Sequence, residues 1–75
     1  MSDEVRLELS QPQALVLLDL VARLNQVDGL PIEDQAEQRV LWDLEATLEA
    51  QVKSVLAEDY RERLSRARQQ VRDRD

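Results

Sequence analysis

Ser10-Gln11-Pro12-Gln13-Ala14-Leu15-Val16-Leu17-Leu18-Asp19-Leu20-Val21-Ala22-Arg23-Leu24 is the stretch on which the fold turns. A hydroxyl residue, a proline in the first turn and a glutamine three residues on form a capping box. The Ser10 side chain can accept from an orphan N–H of the first turn while Gln13 reaches back to the cap. A helix is therefore expected over about residues 11–27, ending where Asp28-Gly29 supplies a residue at ease in the left-handed conformation. Asp19, Arg23 and Gln26 form a narrow polar stripe on its otherwise apolar body, with Asp19 and Arg23 one turn apart as an ion pair. A helix so widely apolar is usually buried on several sides. Two further helices of a 75-residue chain are expected to leave Leu15, Val16 and Leu20 uncovered, and so to leave them for a second copy.

Upstream, Val5-Arg6-Leu7-Glu8-Leu9 alternates apolar and polar, the period-2 pattern of a strand with one buried face, expected over about residues 5–9. Downstream, Leu30-Pro31-Ile32 reads as a short connector. Asp34 with Glu37 repeats the capping signal, and Ala36, Val40, Leu41, Leu44, Leu48, Val52 and Val55 follow at helical spacing, predicting a helix over about 35–56. Asp59 with Glu62 gives a third start. Tyr60, Leu64, Ala67 and Val71 form a narrow seam, predicting a helix over about 59–72 that frays beyond Arg72. Trp42 falls about 150° from the centre of the second helix's apolar stripe. Burial is expected for it nonetheless, against the strand, the third helix or a second subunit. The expected fold class is mainly α: one small domain over residues 1–75, a short N-terminal β-strand, a helical hairpin and a C-terminal amphipathic helix, dimeric overall.

Composition supports the need for a partner. A domain this short hides a modest share of its unfolded surface, and small scaffolds compensate with disulfides, metal or oligomerisation. The chain has neither cysteine nor histidine, which leaves oligomerisation. With 43% apolar residues it is too hydrophobic to be a disordered segment, although 35% of it is charged. The start Met1-Ser2-Asp3-Glu4 carries acids where a signal peptide needs positive charge, and charges break the greasiest run, so a soluble cytoplasmic protein away from membranes is expected. The net charge of −6 hides an asymmetry: residues 1–59 hold 13 acids and 4 bases, whereas residues 60–75 hold 6 arginines and 3 acids.

The residue inventory argues against an enzyme. Ser2, Ser10, Ser54 and Ser65 have no plausible base in a chain without histidine, so nucleophilic triads are closed and no catalytic residue is assigned. Gly29 is the single glycine, which removes a phosphate-cradling loop and with it any cofactor of that kind. Glu45 and Glu49 lie one turn apart but lack the further carboxylates or histidines that helix-borne metal sites recruit, so no metal is expected and the pair reads as a solvated acidic face. Arg61, Arg63 and Arg68 form the one basic face and are the candidate partner-binding cluster. The acids of the second helix are the expected domestic competitors for them.

The order strand, capped helix, turn, helix over about residues 4–56 resembles in outline the ribbon-helix-helix dimers that bind DNA. That resemblance implies two strands from two subunits paired antiparallel, with Arg6 and Glu8 on the outward, groove-facing side. Glu8, Glu33, Asp34 and the acidic body oppose phosphate, so nucleic acid is not the expected partner. The expected function is a protein–protein interaction or regulatory module acting as a homodimer. The alternative is a ribbon-helix-helix-like nucleic-acid-associated regulator or an acidic antitoxin. The residues expected at the dimer interface are Val5, Arg6, Leu7, Glu8, Leu9, Leu15, Val16, Leu20 and Trp42.

Overall fold

The computed structural model describes residues 3–52 and 58–73, and within them the chain is helical: α1 spans Gln11–Leu24, α2 Gln35–Gln51 and α3 Tyr60–Arg72. The start of α1 forms as its cap dictates. Gln13 N donates to Ser10 Oγ at 3.2 Å, Ser10 N donates to Gln13 Oε1 at 2.9 Å, and Pro12 stands in the first turn where no N–H is needed. At the start of α2 Asp34 accepts from Ala36 N at 2.8 Å, while Glu37 accepts from Glu33 N at 2.7 Å. Asp59 makes no side-chain cap on α3. Its carboxylate takes Arg63 Nε at 2.8 Å instead.

α1 ends three residues before the expected Val27. Its last turn tightens through Gln26 N to Arg23 O and Val27 N to Leu24 O, and Val27 is left 53% exposed. Asn25, the C-cap, keeps right-handed helical dihedrals, and its Nδ2 donates across to α2, to Leu41 O at 3.3 Å and Glu45 Oε1 at 2.6 Å. Gly29 does adopt φ +82°, but it serves the turn after the helix rather than the cap. The expected last turn of the second helix, with Val55, lies outside the described residues.

Residues 3–10 form neither helix nor strand, and no backbone bond ties residues 5–9 to residues 30–32. The expected strand is thus absent from the single chain. A strand needs a ladder partner, and none of the described elements offers one. Val5 and Leu7 remain 86% and 77% exposed.

α1 packs against both α2 and α3, which touch each other little. The core is one cluster of Leu15, Leu18, Leu48, Val52, Leu64 and Ala67, with Ala14, Val16, Leu17, Leu44 and Tyr60 packed around it. This corrects the view that two helices could not cover α1. Leu15 is buried at 4% exposure among the residues of α3, and Val16 is half-buried. Neither is surplus surface. Leu20 keeps 40% exposure. Trp42 is half exposed, so its expected burial within the subunit does not occur. Trp42 lies off the core stripe, as its helical phase predicts, and its ring stays half exposed.

Candidate functional site

Two features stand out on the surface of this small bundle, one ionic and one apolar. The ionic one joins α1 to α3. Asp19, whose side chain is only 18% exposed, accepts Arg23 Nε at 2.9 Å from its own helix and Arg68 Nη2 at 3.0 Å from α3. Tyr60 lies beside the same carboxylate. Burial, followed by the charge of Asp19, pushes the Tyr60 phenol above its ordinary value, and Arg68 opposes the shift.

The basic face expected on α3 is therefore largely occupied, though by different acids from those expected. Arg68 is held by α1, Arg63 by Asp59, and Arg66 lies 4.0 Å from Glu62, while the acids of α2 take no part in these pairs. Helix α3 packs on α1 rather than α2, which is why the pairing went elsewhere. Arg61 is exposed beside Tyr60, Leu64 and Arg68. Glu45, expected to be solvated, is half-buried and engaged by Asn25, whereas Glu49 is exposed. Among the described residues no three metal-ligating side chains gather at one place.

The apolar feature is an open groove of about 620 Å³ between the N-terminal segment and the α1–α2 hairpin. Val5, Leu7 and Leu9 stand along one wall, Ala14 and Leu17 come from α1, and Leu44, Leu48 and Val52 come from α2. These positions follow from the local sequence. Leu44, Leu48 and Val52 repeat every four residues on α2, Ala14 and Leu17 lie one turn apart on α1, and Glu8 joins Val5, Leu7 and Leu9 in the lining from the N-terminal segment. Arg6 and Glu8 are left exposed, Arg6 lying 3.9 Å from Glu4.

Of the residues expected at a dimer interface, the structure brings Val5, Leu7, Glu8 and Leu9 to this groove. Arg6 lies in the same segment outside the lining. Leu15 and Val16 belong to the core, and Leu20 and Trp42 do not line the groove. Leu17 and Leu44 were missed as site residues. Both sit one turn from core positions, and their helical spacing reads as core; only the placement of the N-terminal segment turns them into groove wall. No helix among the described residues is long and apolar enough to cross a membrane. Comparison with protein-family models, with curated proteins and with solved structures finds no match to this chain.

Proposed function

We propose that this chain is a non-enzymatic protein–protein interaction or regulatory module that works as a cytoplasmic homodimer through its N-terminal segment and the groove beneath it. One observation carries the reading. Val5, Leu7 and Leu9 are presented to water at 86%, 77% and 42% exposure beside a groove of about 620 Å³ whose lining is mainly apolar, with Glu8, Gln11, Thr47 and Gln51 among its polar residues. A row of large apolar side chains held open over an apolar wall is the kind of surface that marks association rather than catalysis. The missing histidine and cysteine and the engagement of Glu45 by Asn25 support the non-enzymatic part.

Sedimentation at micromolar concentration tests it. A particle of about twice 8.7 kDa is expected, and deletion of residues 1–9 should give a folded monomer. A wild-type monomer would overturn the reading. Duplex DNA is not the partner in this reading, because the body is acidic and Arg63 and Arg68 are held by carboxylates. Micromolar duplex binding at physiological salt, abolished when Arg61, Arg63 and Arg68 are replaced by Glu, would put a nucleic-acid-associated regulator ahead of it.

A further inference from the structure

Helix α2 packs on α1 and touches α3 little, and on the side turned away from the groove it presents a tryptophan. At about 100° per residue Trp42 lies roughly 160° round the helix from Leu44 of the groove wall. Glu45 and Ala46 follow it one turn later on the same face, and Glu49 follows two turns later. The Trp42 ring is 50% exposed, Ala46 and Glu49 are exposed, and Glu45 is half-buried.

The charge of α2 differs from that of the other elements. Ion pairs among the described residues join Arg6 to Glu4, Arg23 and Arg68 to Asp19, Arg63 to Asp59, Arg66 to Glu62 and Arg72 to Asp73. None of them involves α2, which carries Glu37, Asp43, Glu45 and Glu49 against Arg39. Glu37 and Glu45 accept from neutral donors, the Glu33 amide and the Asn25 side chain. The acid of this helix therefore meets no ion-pair partner among the described residues.

We infer that this face of α2 is a second docking surface, separate from the groove, and that it takes a lysine- and arginine-rich segment of another protein. The face of an indole ring attracts a cation, and a guanidinium or ammonium laid on Trp42 stands within two helical turns of the Glu45 and Glu49 carboxylates. The ring supplies the contact, and the carboxylates select its sign and steer its approach. Arg39 lies on the other flank of the ring from Glu45, so the cation is received from the acidic side. An acidic segment is repelled by the same charges.

Trp42 is the single tryptophan, so its emission reads the surface directly. Hexa-arginine should change that emission saturably, and hexaglutamate should not. Anisotropy of labelled hexa-arginine then ranks the variants: Glu49→Lys should weaken binding about fivefold by turning an attraction into a repulsion. Trp42→Ala should weaken it about threefold through the lost ring. Glu62→Lys, which changes the net charge of the chain as much as Glu49→Lys does but lies on α3, should stay within about twofold of the parent. Trp42, Glu49 and Glu62 are exposed, so the variants should fold as the parent does, which circular dichroism checks. Equal losses from Glu49→Lys and Glu62→Lys would mean general attraction to an acidic chain, and an emission indifferent to hexa-arginine would mean no such surface. An emission that shifts with protein concentration alone would place a second copy on Trp42. Each of these results overturns the inference and leaves the groove reading standing.

Discussion

Towards α3, α1 is closed: Leu15 and Leu18 are buried with Leu64 and Ala67, and Asp19 fastens the edge by taking Arg68. Towards the N-terminal segment the same helix opens, and Ala14 and Leu17 look into a groove whose far wall is largely exposed. Both flanks are apolar in sequence. What separates them is the neighbour that the chain supplies. α3 is a regular helix with an apolar seam and an arginine in reach of Asp19, whereas residues 3–10 have no ladder with which to hold their own backbone. An apolar stripe therefore predicts a demand for cover, and the adjoining element decides whether the demand is met within the subunit.

Leucine truncation breaks the comparison most directly. Leu18→Ala on the closed side, at 2% exposure, should cost about 2–5 kcal/mol in urea unfolding, enough to unfold much of a small domain. Leu7→Ala on the open side, at 77% exposure, should cost under about 0.5 kcal/mol when measured at high dilution, where association is absent. Equal losses in dilute solution would show that the segment is bound more tightly within the subunit than its exposure says.

The ionic edge of the closed side gives a smaller effect. Asp19→Asn should lose about 1–3 kcal/mol, because its sheltered carboxylate accepts two charge-assisted bonds. Glu62→Gln, whose partner Arg66 is 4.0 Å away in solvent, should change stability by no more than about 0.5 kcal/mol. Similar changes for the two would argue that Asp19 contributes only as an exposed charge.

The smallest signal is alkaline. Folding raises the Tyr60 phenol above 10.0, chiefly through burial and next through Asp19, so the folded state holds that proton more tightly than the unfolded one. This contribution to stability is complete below pH 10.0 and is lost as the pH climbs past it. Tyr60→Phe should flatten that part of the pH–stability curve and leave the neutral region with the same slope.

The sequence made the local parts of this structure legible. The Ser10–Gln13 box, the Asp34 cap and the Asp19–Arg23 pair lie within four residues of each other, and all form. What could not be read is carried by contacts distant along the chain. Asn25 at the end of α1 reaches Leu41 and Glu45 on α2, and Arg68 finds Asp19 across 49 residues rather than the acids of α2. Nothing local announces either partner. For the candidate site, the period-2 run singled out Val5, Leu7, Glu8 and Leu9, which line the groove, whereas Leu15, expected to stay uncovered because two further helices of so short a chain were not expected to cover α1, lies in the core. Trp42 was correctly placed off the core stripe, yet covering it required an element that the described chain does not bring there.

The central position of α1 also sets an order of events in time. Its contacts with α2 need only the short connection after Leu24 to close, whereas its link to Arg68 must close a loop of 49 residues, and the entropy of closure grows with length. The hairpin can therefore form early in folding, and α3 docks afterwards onto a surface already made.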